Sequence, residues 1–464
     1  MYLTSVKKSV FNIKEEVRGF FSKGVQRSIE AKKNIVGSFL IKIANMGISL
    51  LLVPITINYV NPTQYGVWLT LTSMVAWVAL FDVGLTQGLR NKFAEAKALK
   101  DSALARTYVS TTYYYVALIF MLIGIVAIAA SYFVDWRALI NAPLGSENEL
   151  KYLVVIVISY FCLQFIFQIV KVVITSDQKP ALASLIELSG QVLVLLIVWL
   201  LTHFTEGSLI YLGLAIGLTP VVVLILANLY FFSGKYQMYR PSLAFVKKEY
   251  ASELMTMGGK FFVLQLAAMI QYSTTLFLIA HYFDPESVTA YNIAFKYFVS
   301  LQAIFMIFLT PLWSSTTDAY FLKDFDWILR VIGKYMLLLI PFAAAALLML
   351  FFSDDVYRLW LGDAYIAIDS KISILCCIYI VVSMFSSVFV NVVNGMGTLK
   401  IQFVSSIVTS LFFLVLCYAF INYFGFGVWS IILASILSNV YGFAISPVQV
   451  YKVLIEKTSS KIWY

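Results

Sequence analysis

Two lysines stand inside long apolar stretches of this chain, and each keeps polar company at helical spacing. Lys42 shares its stretch with Ser38, Asn45, Ser49 and Thr56. At about 100° per residue these five side chains fall within a wedge of roughly 60°. Lys296 repeats the theme with Asn292, Ser300 and Thr310. An ammonium set among amides and hydroxyls is suited to holding an anion. Lys260, ahead of Gln271 and Thr274 on the same helical face, is a third such cation, equally suited to anchoring at an interface. Two carboxylates, Asp82 and Glu187, lie in or at the edges of apolar runs, where they can pair with a lysine or exchange a coupling proton or sodium ion. Asp82 belongs to the stretch FDVGLTQGLRNKFAEA, which continues into Arg90, Lys92 and Glu95.

Enzyme signatures are missing. The chain has no Walker A loop, no H-E-x-x-H and no G-x-S-x-G. Its two histidines, His203 and His281, are far apart and suit outer helix ends better than a zinc site. Cys162, Cys376, Cys377 and Cys417 all sit in apolar runs and are expected to be small core hydrophobes. No cofactor is expected beyond a coupling ion, if there is one.

The elements that must position these side chains are membrane spans. The 464 residues are 61% hydrophobic and 12% charged, with a mean hydropathy of +0.87. Apolar stretches about 20 residues long recur from residue 35 to about 450, the length that crosses a ~30 Å hydrocarbon core as a helix. The expected fold class is all-α, a polytopic membrane protein, because helices satisfy every backbone polar group inside lipid. Twelve spans are expected, near 35–60, 65–85, 108–133, 152–174, 183–202, 208–232, 259–282, 288–312, 331–352, 371–393, 401–421 and 427–450. No cleavable signal peptide is apparent.

Charge orients them. Of 33 Lys and Arg, 27 fall at the N-terminus, the C-terminus and every second loop, against four in the opposite loops; Lys42 and Lys296 lie within spans. This split predicts both termini in the cytoplasm. The net charge of +9 thus expresses topology, and nucleic acid is not an expected partner. Arg90 and Lys92 follow span 2 on this basic side and serve as anchors at the least. Residues 1–33 alternate Val10, Ile13, Val17, Val25 and Ile29 with Lys7, Lys14, Arg18, Lys23 and Arg27, which predicts an amphipathic arm lying on the membrane surface.

An internal repeat divides the chain. GSFLIKIANMGISLLLVPITINYVNPTQYG from Gly37 parallels GKFFVLQLAAMIQYSTTLFLIAHYFDPESVTAY from Gly259, and Asn61-Pro62 parallels Asp284-Pro285. Six spans plus six imply two lobes around a central cavity, related by an axis along the membrane normal. The expected parts are the arm 1–33, an N-terminal lobe 34–232, a cytoplasmic connection 233–258, a C-terminal lobe 259–452 and a tail 453–464.

The stretches FDVGLTQGLRNKFAEA, GGKFFVLQLA, FLTPLWSSTTDAY and NVVNGMGTLKIQ resemble the oligosaccharide flippases of the polysaccharide transport family, which includes O-antigen and capsule repeat-unit flippases. That family belongs to the superfamily of multidrug/oligosaccharidyl-lipid/polysaccharide exporters. The resemblance implies a MATE-like fold in the bacterial inner membrane and alternating access. It implies a polyprenyl-pyrophosphate-linked oligosaccharide as cargo, polymerase and chain-length proteins as partners, and action as a monomer. Lys42, Asn45, Arg90, Lys92, Lys260, Asn292 and Lys296 are then the expected substrate-binding residues. Asp82 and Glu187 are the coupling candidates. A cation-coupled multidrug exporter of the same superfamily is the main alternative. Those exporters keep an acid in the first helix, where this chain has Lys42. The peptidoglycan lipid flippase is similar in its lobes but has two further spans. A membrane-embedded glycan-processing enzyme would need a catalytic outer loop. The loops 134–151 and 353–370 offer only Arg137 and Arg358.

Overall fold

The computed structural model describes residues 26–77, 85–177, 179–254, 274–398 and 400–456. The first lobe contains α1 (Gln26–Val60), α2 (Pro62–Val75), α3 (Leu85–Ala98), α4 (Ser102–Ser131), α5 (Glu147–Phe167), α6 (Ile169–Ser176), α7 (Pro180–Phe204), α8 (Leu209–Gly213) and α9 (Thr219–Ser233). The second contains α10 (Pro285–Phe321), α11 (Phe325–Phe351), α12 (Ser353–Leu361), α13 (Ser370–Met396), α14 (Lys400–Asn422), α15 (Trp429–Ser438) and α16 (Ser446–Leu454).

Ten described helical stretches are long and apolar enough to cross a bilayer, five on each side of the connection. The two further expected spans, 65–85 and 259–282, fall partly on residues outside the described set. The lobes are apolar on the outside as well as in the core. The long helix α4 buries Val109, Val116 and Phe120 but exposes Leu118, Leu122, Ile125 and Val126. In water each exposed Leu or Ile would forfeit about 1.5–3 kcal/mol of burial, so this face needs lipid.

One boundary differs from the sequence expectation. The arm was expected to end at residue 33, ahead of span 1. The structure instead runs a single helix from Gln26 to Val60, so residues 26–33 prolong span 1. No proline interrupts this segment before Pro54. A Cβ built on Gly37 would lie 3.5 Å from the Ala181 side chain, an ordinary contact with α7. Residues 1–25 of the arm lie outside those described.

The repeat is visible in local chemistry. Asn61 caps α2 through its side chain to the Gln64 N–H at 2.9 Å, with Pro62 at the first helical position. Asp284 caps α10 through the Ser287 N–H at 2.7 Å, with Pro285 in the same place. The last span of each lobe carries a π turn, Leu214–Leu218 and Tyr441–Ile445, each just ahead of Pro220 or Pro447. Proline has no N–H for the regular ladder, so the backbone widens by a residue there. Within the lobes α1 packs on α7 and α10 on α13; across them α10 packs on α2.

Candidate substrate cavity between the lobes

The helix α10 presents one face to the first lobe, and its residues can be read off by spacing. Thr289, at the start of that face, donates its hydroxyl to the Pro62 carbonyl at 2.6 Å. Ala303 and Ile307, fourteen and eighteen residues on, line a cavity of about 380 Å³ shared with Lys42, Ile43 and Met46 of α1. At about 100° per residue Asn292, Lys296 and Ser300 fall on the same stripe, between the contact and the cavity. Lys296 therefore stands about 10 Å along the helix axis from Ala303, at 1.5 Å per residue.

The other α10 faces are committed to their own lobe. Gln302 donates to Ser383 at 2.7 Å and Tyr297 donates to the Met349 carbonyl at 3.2 Å. Lys42 is exposed to the cavity and Lys296 is half-buried. Among the described residues neither lysine has an ion pair. The Asn45 and Asn292 side-chain oxygens are buried without a hydrogen-bond partner. Lys42 thus lines the cavity, while Asn45, Asn292 and Lys296 stand at other depths along the same two helices.

The remaining expected site residues are placed differently. Arg90 is exposed on α3. Lys92 is neutralised: its Nζ lies 2.6 Å from Glu253 and 3.0 Å from Glu95, with only 14% of the side chain exposed. Glu253 and then Glu95 hold the Lys92 ammonium well above the ordinary lysine range. Tyr108 also donates to Glu253, at 3.2 Å, and a Cβ on Gly88 would meet the Leu254 carbonyl. Lys92 therefore docks the inter-lobe connection onto the first lobe. Glu187 lies 3.8 Å from Lys171, is 54% exposed, and does not line the cavity. Asp82 and Lys260 lie outside the described residues. Among the described residues no three His, Cys, Asp or Glu side chains gather as a metal site.

Sequence reasoning missed the seal at the far side, opposite the basic loops. Asn141 donates to the carbonyls of Ala280, His281 and Phe283 at 3.2, 2.8 and 3.3 Å. The His281 Nδ1 lies 3.0 Å from the Leu139 carbonyl. A Cβ on Gly66 would sit 1.6 Å from the Pro285 carbonyl oxygen, so α2 and α10 touch backbone to backbone. Trp360 of α12 donates its ring N–H to the Leu50 carbonyl of α1 at 2.9 Å. That carbonyl is free because Pro54, four residues on, has no N–H to give it. The Pro54 signal was legible; its partner was not.

Two lobes, a shared cavity and a closed far side define a MATE-like membrane transporter fold. An inward-facing multidrug resistance MATE family transporter of the MOP superfamily superposes with a TM-score of 0.71 at 14% identity, over 91% of this chain and 96% of that one. An outward-facing structure of such a transporter gives 0.60 at 14% identity, over 95% and 99%. A MOP superfamily transporter from Pyrococcus furiosus, described as having a binding pocket of reverse polarity, gives 0.62 at 14% identity, over 91% and 96%. No curated protein matches the chain in sequence. Residues 31–316, more than half of the chain, match the family described as polysaccharide biosynthesis protein. The chain belongs to that family.

Proposed function

We propose that this transporter is a flippase that carries a polyprenyl-pyrophosphate-linked oligosaccharide from the cytoplasmic to the periplasmic leaflet of a bacterial inner membrane. On this reading the basic side is the cytoplasm and both termini lie there. One observation carries the reading: Lys42 lines the inter-lobe cavity, Lys296 lies farther along the same stripe of α10, and among the described residues neither has an ion pair. A pyrophosphate brings at least two negative charges, and a water-poor cleft strengthens its attraction to fixed cations. The glycan would cross in the cavity while the polyprenyl tail stays in lipid. Lys260 and Arg90 are further contacts along the inner approach, and Asp82 is the remaining candidate for ion coupling.

The drug-exporter reading meets an obstacle in the same residues, since a cation entering beside Lys42 would be repelled. The enzyme reading has little to stand on in the outer loops. Arg137 is paired with Glu147 at 3.1 Å and Arg358 with Asp354 at 3.0 Å. Asp354 is held below the ordinary carboxylate range by Tyr365 and Arg358.

The two transporter readings separate in cells that lack the protein. Loss of surface polysaccharide with accumulation of lipid-linked repeat units is the expected phenotype. Hypersensitivity to cationic drugs with a normal surface glycan would overturn the flippase reading. Orientation is tested separately. Lys247 and Asp363 are both exposed, at opposite ends of the molecule's spans. With the native cysteines replaced, Asp363→Cys should react with an impermeant thiol reagent in intact cells and Lys247→Cys should not. Reaction of Lys247→Cys from outside would invert the topology.

A further inference from the structure

On the basic side, away from the cavity, the ends of α3, α6, α7 and α9 converge on one carboxylate. Asp177, between α6 and α7, has a side chain only 2% exposed. Lys97 near the end of α3 and Lys179 just ahead of α7 both form ion pairs with it. The Tyr236 hydroxyl donates to it at 2.8 Å. The Tyr236 ring lies under two ammoniums, with Lys179 at 5.9 Å and Lys235 at 6.0 Å from its centre.

Three ammoniums thus gather around a single carboxylate, and the cluster carries surplus positive charge. Lys97 and Lys179 keep 43% and 33% of their side chains exposed, and Lys235 is exposed. Lys179 beside it pushes Lys235 below the ordinary lysine value, the direction a like-charge contact gives. The α7 helix begins at the same point, so the positive end of its dipole adds to the field. Spread-out anchoring lysines would not share a buried carboxylate and one aromatic ring. Because α7 and the span containing α9 cross the bilayer from these ends, the cluster lies at headgroup depth.

We propose that Lys97, Lys179 and Lys235 form a phosphate site that takes the phosphodiester of an anionic phospholipid from the leaflet on this side. The proposal needs only that the chain crosses a membrane, and it stands or falls apart from the flippase reading. The test is native mass spectrometry of the purified full-length protein after incubation with mixed phosphatidylglycerol and phosphatidylcholine. The wild type should retain phosphatidylglycerol selectively. Lys235→Gln should cut that retention about fivefold, since one basic side chain near an anionic surface is worth roughly 1 kcal/mol. This variant leaves both Asp177 ion pairs in place, so misfolding does not imitate the result. The triple variant K97Q/K179Q/K235Q should lose the preference, and Lys334→Gln, an exposed lysine elsewhere on the basic side, should keep it. Excess inorganic phosphate should fail to displace the lipid; ready displacement would identify free phosphate as the ligand and overturn the lipid assignment. Equal retention by wild type, Lys235→Gln and the triple variant would overturn the site.

Discussion

Lys42→Ala and Lys296→Ala should each depress glycan export strongly while the protein still reaches the membrane. The expectation follows from where the two ammoniums stand. Lys42 lines the cavity, Lys296 falls on the same α10 stripe as Ala303 and Ile307, and among the described residues neither is paired. A cation held uncompensated in a bilayer costs roughly 2.5–3.5 kcal/mol, so its retention calls for a ligand that repays the cost. A hydrogen bond to a charged group contributes about 1.5–3 kcal/mol, which predicts a loss of roughly 10- to 150-fold for each alanine variant. Lys→Arg should be partly tolerated at both positions because the charge survives. Arg90→Ala should be mild, since an exposed cation at a wet surface is worth only about 1 kcal/mol. Lys92→Ala should act differently again. It frees Glu253 and Glu95, so its effect should be a loosened connection and lower protein level rather than a changed substrate affinity. The assay is surface polysaccharide in a flippase-deficient strain, scored against membrane expression. Normal export by both alanine variants would sink the cationic-cavity mechanism and leave the fold untouched.

Of the cavity lining only Lys42 was an expected site residue; the rest is apolar side chains of α1 and α10 that carry no signal of their own. The stripes through Lys42 and Lys296 repeat at helical spacing, and a polar face on an apolar helix must meet something other than lipid. The repeat was legible because Asn61-Pro62 and Asp284-Pro285 are both local cap signals with a fixed meaning. The far-side seal left no such trace. Its donors, Asn141, Thr289 and Trp360, are ordinary polar or aromatic residues, and their acceptors are backbone carbonyls. A carbonyl has no sequence signature unless a proline strips it of its partner, as Pro54 does for Leu50. The pairing of Lys92 was hidden for a related reason. Its neighbour Glu95 was in view, but Glu253 arrives from the connection through the fold alone. The change in polarity near residue 33 leaves no break in the backbone, since α1 continues through it from Gln26.

On the flippase reading, Gly66→Val should hold the protein open on the far side. In the structure, a Cβ at this position would lie 1.6 Å from the Pro285 oxygen and 2.5 Å from its carbonyl carbon. Both are backbone atoms at the start of α10, where the Asp284 cap fixes the chain. A flexible side chain could swing aside; this backbone cannot. Overpacking against side chains already costs about 1–3 kcal/mol, and inverting a 99:1 population takes roughly 5.5 kcal/mol. A valine forced against a fixed carbonyl should reach that range, so α2 and α10 part and the closed far side is lost. The prediction is read by paired spin labels at Glu206→Cys and Asp363→Cys, exposed far-side positions in the two lobes. Gly66→Val should lengthen the distance between them and abolish export, because a carrier that cannot close one side cannot reload from the other. Trp360→Phe should move the same distance less, since it removes a single hydrogen bond worth about 1 kcal/mol. An unchanged distance and normal export in Gly66→Val would show that the contact between α2 and α10 is packing alone and no part of the gate.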